Sequence, residues 1–403
     1  MEDKLHKELK TYYKNFFERE LTTILTKYEL PPHSFNYSLI LYQREQGFIL
    51  DELETLWVKV NGNLHIVSEV LIWFERTCLL KTRVKTIEKL ILLELQEQFE
   101  KIPDVRDLII KHILKHVMAE RSEEMINRKQ IKNVVEILIK LDYYRPYFEP
   151  ELLKLTQQHY KQEAAQSAEK FEVCSYLNKT QQRINEEKDR VQAYLEKSTE
   201  AKIVSMLEKL FIDDYLQKIL SEGFEYLVDN QKLENLKQLF TFLNKLGRID
   251  FLKNTWQYYI KQKGTVIINA NEVGVEPIVQ FKRKLDEILY NCFARNYVLE
   301  SAMNYAFEDF VNIKTNKIAE LTTKYFDTIL QKAHKLDKGE EQLEKMLDDA
   351  LAIFKFLAAK DIFEAFYTKR LMRRLLLRNI SSFELEKKLV EKFKAGRFIC
   401  FVV

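Results

Sequence analysis

The chain has 403 residues, and 64 Lys plus Arg against 61 Asp plus Glu leave a net charge of +3, too near balance to argue for nucleic-acid binding by itself. At 46% hydrophobic and 31% charged it has the composition of an ordered globular chain, long enough for two or three domains or one array of repeats. Eight Gly and six Pro are few breakers for this length. Long helices joined by short connections follow, and the fold class is all-α.

The N-terminal MEDKLHKELK is charged, unlike a signal peptide, and no run approaches the ~18 apolar residues of a membrane span. Helical periodicity predicts elements over 3–28, 44–61, 63–80, 84–100, 104–121, 128–143, 147–166 and 169–197. Further helices are expected over 200–229 (broken near Ile212), 232–246, 248–263, 275–295, 296–312, 316–334, 341–358 and 361–378. Val134, Val135, Leu138 and Leu141 trace the buried face of one of them. Between elements fall Pro31-Pro32, Pro103, Pro146, Gly247, Gly264 and Gly274. GTVIINANEVG, from Gly264 to Gly274, is expected to be non-helical, as an ordered loop or a short extended piece. In 360–377, KDIFEAFYTKRLMRRLLL, apolar residues spread over most of the helical circle, so this helix must bury more than one face.

A search for chemistry finds little. Cys78, Cys174, Cys292 and Cys400 lie about a hundred residues apart with no Cys-x-x-Cys pair, which points to buried, reduced thiols. His112 and His116 share a helix face but lack an adjoining Glu and a third ligand, so they read as helix-surface histidines and no metal is implied. Glu186, Glu187 and Asp189 beside Arg183, Lys188 and Arg190 read as a solvated face with i, i+4 pairs. Lys369, Arg370, Arg373, Arg374 and Arg378 read as the solvated side of a helix, with nuclear import or phosphate contact as the other use. No phosphate-binding loop, dinucleotide turn or nucleophile elbow is present. The reading from residues alone is a helical scaffold or interaction protein without a catalytic site. In 64–80, LHIVSEVLIWFERTCLL, the side opposite the core face carries His65, Ser68, Glu69, Ile72, Arg76 and Leu79. Apolar Ile72 and Leu79 there fit either a protein interface or packing on a neighbouring helix.

KDIFEAFYTKRLMRRLLL closely resembles the cullin family's segment of the form KDVFEAFYKKDLAKRLL. Further similar blocks lie upstream in the family's order: WFERTCLL (73–80), the region 121–164, RINEEKDRVQAYLEKST (183–199), ENLKQLFTFLNKLG (234–247), YYIKQKGTVIIN (258–269) and CFARNYVLESAMNYAFEDFVN (292–312). The last two are most similar to the cullin-4 class. The resemblance implies an elongated stalk of stacked five-helix cullin repeats, then the start of a C-terminal four-helix bundle. Its parts would be a partial first repeat (1–82, helices three to five), a second repeat (83–198), a third (199–312) and a junction with an incomplete C-terminal domain (313–403). The implied function is a non-catalytic scaffold of a cullin-RING ubiquitin ligase, cytoplasmic or nuclear, with no cofactor. The first repeat would hold a substrate adaptor, of β-propeller type by class, and a RING-box protein would join only on a longer product. No membrane or direct nucleic-acid partner is implied. The fifth helix of the first repeat maps to 64–80, so His65, Ser68, Glu69, Ile72 and Arg76 become a candidate adaptor half-site. Phe363, Phe366, Leu371 and Leu375 would begin the C-terminal bundle, partly exposed because their packing partners lie beyond the sequence. A chain without the RING-binding region could alternatively occupy adaptors and block complete ligases.

Overall fold

The computed structural model describes residues 2–27, 50–51, 54–59, 62, 87–101, 103–270, 274–332, 340–376 and 383–395. These are helical almost throughout, and no strand occurs among them. No described helix is long and apolar enough to cross a membrane. Two compact units divide the chain: residues 1–167 with 180–211, and residues 168–179 with 212–403.

In the first unit, α1 (Glu2–Lys27) packs on α2 (Ile87–Lys101). Tyr13 and Phe17 are buried in that contact, and Lys10 pairs with Glu94 at 3.7 Å. There follow α3 (Pro103–Arg121), α4 (Arg128–Lys140), α5 (Glu149–Glu169), α6 (Val173–Tyr194) and α7 (Ser198–Glu208). Asn127 caps α4 by accepting from the Gln130 amide at 3.2 Å, the bond that starts a helix at an Asn. Val134, Val135, Leu138 and Leu141 are buried as their spacing predicts. Asn133 donates to Glu54 at 2.6 Å and Lys140 lies 5.1 Å over the Trp57 ring, so α4 is docked on the helical residues 54–59. Near Pro146 the chain does not break: Tyr144–Phe148 form one wide helical turn leading into α5. Proline is tolerated there because its missing N–H falls in a first turn.

The expected helix over 200–229, whose residues from 212 on belong to the second unit, is interrupted as read near Ile212, by wide turns at Lys209–Asp213 and Ile219–Gly223. Short helices α8 (Leu216–Lys218) and α9 (Phe224–Asp229) lie beside the second of these turns. A Cβ on Gly223 would fall 2.6 Å from the Val173 side chain, so the glycine admits a close crossing. Next come α10 (Leu233–Lys245), α11 (Ile249–Asn269), α12 (Glu276–Asn291) and α13 (Tyr297–Val311). Trp256 is fully buried, its ring edge-on to Phe293 at 5.4 Å and to Phe224 at 6.2 Å. The expected non-helical piece from Gly264 is corrected, since α11 runs unbroken through Gly264 to Asn269. Gly264 is a packing residue here and not a breaker: a Cβ would lie 2.4 Å from the Phe310 ring on α13. Tertiary contact thereby overrides the weak helix propensity of glycine.

The last four helices are α14 (Thr315–Lys332), α15 (Glu340–Lys355), α16 (Lys360–Leu376) and α17 (Phe383–Ala395). Asn312 ties α13 to the turn before α16: its amide donates to Phe356 O and its Oδ1 accepts from the Ala358 N–H, each at 2.8 Å.

Candidate functional site

The most polar buried place in the first unit is built on α6. Thr180, Ile184, Val191 and Tyr194 mark its buried stripe, and Glu187 occupies the position between them, fully buried. Around Glu187, Arg121 from α3 donates two parallel bonds of 2.9 Å, the bidentate geometry that suits guanidinium to carboxylate. Tyr160 from α5 donates at 2.6 Å and Arg190 at 2.8 Å. The same Arg121 reaches Thr156 at 2.9 Å, and Tyr194 donates to Glu120 at 2.7 Å. Burial alone would raise the Glu187 carboxyl, but the Arg121 charge and its hydrogen bonds outweigh it and hold the group below its ordinary value. Burial would likewise lower Arg121, and Glu187 holds it above its ordinary value. The Tyr160 phenol is pushed up by burial first and then by the neighbouring carboxylate.

Here the reading of Glu186, Glu187 and Asp189 beside Arg183, Lys188 and Arg190 as a solvated face is corrected for Glu187 and Arg190, which are buried, while Asp189 is exposed and Glu186 pairs with Arg183 at 2.7 Å as a helix pair. The signal was a charge at a heptad-like core position, which only a long-range Arg partner can make tolerable. His112 and His116 are also not freely exposed: both are half-buried, and burial first, then nearby charge, lowers both imidazoles. Among the described residues no group of His, Cys, Asp or Glu is arranged to hold a metal ion. Cys292 is buried, with its thiol pushed up to about 11 by burial, and Cys174 is half-buried. Cys78 and Cys400 lie outside the described residues.

A second polar centre joins the last helices. Arg374 donates to Glu386 at 2.7 Å and to Asp327 at 2.5 Å, and Arg370 reaches Asp327 at 3.2 Å. Tyr367 donates to Glu386 at 3.1 Å. Arg374 is buried, so the solvated reading of the basic cluster is corrected for this member, while Lys369 and Arg373 are exposed. Beside this centre sits an aromatic core of Phe326, Phe354, Phe363, Tyr367 and Phe393, with Phe354 and Phe363 centroids 4.5 Å apart.

The expectation that Phe363 is partly exposed is therefore corrected: its ring is fully buried because α14, α15 and α17 already enclose it. Phe366 and Leu371 are half-buried, and Leu375 is 44% exposed. The candidate half-site His65, Ser68, Glu69, Ile72 and Arg76 lies outside the described residues, as does Leu79.

The ionisable groups of these two buried centres hold helices to one another. Fold and site define an all-α protein of packed helices with buried polar cross-links. Residues 1–397 match the family model described as the cullin alpha solenoid domain. Cullin-4 of Dictyostelium discoideum is 31% identical over 350 residues, 86% of this chain and 43% of that protein. Cullin-4A of Mus musculus is 31% identical over the same share of this chain and 46% of its own, and Cullin-3B of Arabidopsis thaliana is 26% identical over 87% and 50%. The chain belongs to the cullin family. It spans about half the length of the curated relatives it matches.

Proposed function

We propose that this protein is the scaffold subunit of a cullin-RING ubiquitin ligase, acting in the cytoplasm or nucleus in ubiquitin-dependent protein degradation. The observation that carries the reading is family membership over residues 1–397, with cullin-4 proteins among the most similar relatives. The chain contributes no catalytic side chain. It holds a substrate adaptor and, on a longer form of the protein, a RING-box subunit with its conjugating enzyme. Fixing substrate and thioester on one body raises their effective concentration, which is how a non-catalytic subunit accelerates transfer.

In this reading the parts are a partial first repeat at 1–82, repeats at 83–198 and 199–312, and the start of the C-terminal domain at 313–403. The half-site His65, Ser68, Glu69, Ile72 and Arg76 holds the adaptor, and a β-propeller adaptor of the damaged-DNA-binding type is the partner suggested by the cullin-4 similarity. Packing at Phe363 and the Arg374 centre supports an ordered junction in the last helices.

Interferometry with the immobilised 403-residue chain and that purified adaptor tests the proposal. Saturable binding at micromolar concentration, weakened by Ile72→Asp with Arg76→Glu, is the expected result. Absence of binding at that concentration rejects the adaptor assignment.

A further inference from the structure

On α11 the inner side is set by Leu252, Trp256, Ile260, Gly264 and Ile268, all buried. The opposite side presents Phe251, Asn254, Tyr258, Gln262 and Val266, all exposed. At about 100° per residue these side chains fall within roughly 120° of the circumference, so they share one face of a single helix. Phe251, Tyr258 and Val266 are 53%, 64% and 70% exposed. No residue of this stripe is charged, although 31% of the chain is. Lys261 borders the stripe, and its ammonium is already paired with Asp309 and set over the Tyr305 ring at 4.9 Å.

The stripe has nearly the same order of side-chain types read in either direction. Asn254 and Gln262 stand four residues either side of Tyr258, and Phe251 and Val266 stand seven and eight residues from it. At ~1.5 Å per residue the two apolar ends lie about 10.5 and 12 Å from the central tyrosine, a mismatch of only about 1.5 Å. An antiparallel second copy turned about Tyr258 therefore sets Phe251 against Val266, Asn254 against Gln262, and tyrosine against tyrosine. The carboxamides each carry a donor and an acceptor, so that rung is self-complementary, and the aromatic and apolar rungs match by type. An uncharged stripe does not repel its own copy, whereas it gives an acidic or basic partner no charge to read.

We propose that the outward face of α11 is a two-fold contact through which two copies of this chain associate, antiparallel and centred on Tyr258. An isologous contact requires a surface that complements itself, and the palindromic order of the stripe supplies it. Loss of charge with an aromatic side chain at the centre is the composition of an interface core. These exposed side chains from both copies bury on the order of 1,000 Å² in total, the low end of specific interfaces, which suits a reversible dimer and not an obligate one. The contact is independent of the adaptor half-site and does not rest on the ligase reading.

Sedimentation equilibrium of the full 403-residue chain over a concentration series tests this. A reversible monomer–dimer equilibrium with a midpoint on the order of 100 μM is expected. Tyr258→Glu sets two carboxylates at the axis and should weaken association at least about tenfold. Circular dichroism of that variant should match the parent, since Tyr258 is exposed. Oxidative cross-linking read by mass spectrometry tests the orientation, with the parent chain giving the background from its own cysteines. Tyr258→Cys should link to itself, whereas Phe251→Cys should link to Val266→Cys in a mixture and not to itself. A chain that stays monomeric well above that midpoint, or a dimer that Tyr258→Glu leaves unchanged, overturns the proposal. A Phe251→Cys chain that links to itself overturns it as well.

Discussion

Glu187 is one carboxylate held by two guanidiniums and a phenol, with no water-facing side. Glu187→Gln leaves Arg121 buried beside a neutral group, and the loss of one member of such a pair costs about 3–5 kcal/mol. Chemical denaturation of the variant should show a lower midpoint at an unchanged slope. Because the folded-state carboxyl is held below its ordinary 4.5, its contribution is fully present above that pH and is lost as pH falls through the depressed folded value. Gly264→Ala tests the opposite kind of constraint, since the added methyl meets the Phe310 ring. Overpacking of this sort costs about 1–3 kcal/mol. Adding Phe310→Leu should recover part of the loss, whereas strictly additive effects in the double-mutant cycle would show that the two residues do not meet. Neither role was legible in sequence. Among the charged residues of RINEEKDR only the heptad-like spacing of Glu187 sets it apart, and its role stays hidden until the partner from α3 is placed, just as a glycine in a helix signals a break until its neighbour is known.

At the scale of elements, legibility was far better. Val134, Val135, Leu138 and Leu141 declare their face because burial on one side imposes the 3.6-residue period. The interruption near Ile212 was also legible, although its form as wide turns was not. Surroundings of α16 were misread: a helix apolar nearly all round needs several neighbours, and α14, α15 and α17 supply them within the chain. The Asn312 clamp joins α13 to the approach of α16, and its two tertiary bonds have no backbone substitute. Asn312→Ala is expected to cost about 1–3 kcal/mol, because the Ala358 amide and Phe356 carbonyl lose their partner. Faster amide exchange confined to the neighbourhood of residues 356–360 would confirm the clamp, and unchanged exchange there would argue against it. On α3 and α5, His112, His116 and His159 are all lowered from 6.5, by burial first. A lowered imidazole favours the neutral folded form, so stability is full above 6.5 and declines as pH falls below it. Thermal melts at pH 7.5 and 5.5 should show this decline, and His112→Asn with His116→Asn should flatten it.

For the whole molecule, the all-α class followed from the scarcity of Gly and Pro, and the family from collinear blocks that the match over residues 1–397 bears out. The candidate adaptor residues stand differently: they rest on family similarity at 64–80, where no described structure bears on them. In the proposed reading a scaffold's work is geometric, and composition and spacing could not by themselves name the assembly. Affinity isolation of the natural protein from its own cells tests whether it sits in that assembly. An antibody raised against residues 200–310 would recover the endogenous product for assay of co-purifying adaptor and RING-box subunits and of ubiquitin-chain synthesis. The ligase-scaffold account predicts both subunits in the eluate and chain synthesis once activating and conjugating enzymes are added. Recovery of the protein with neither subunit and no chain synthesis would contradict it.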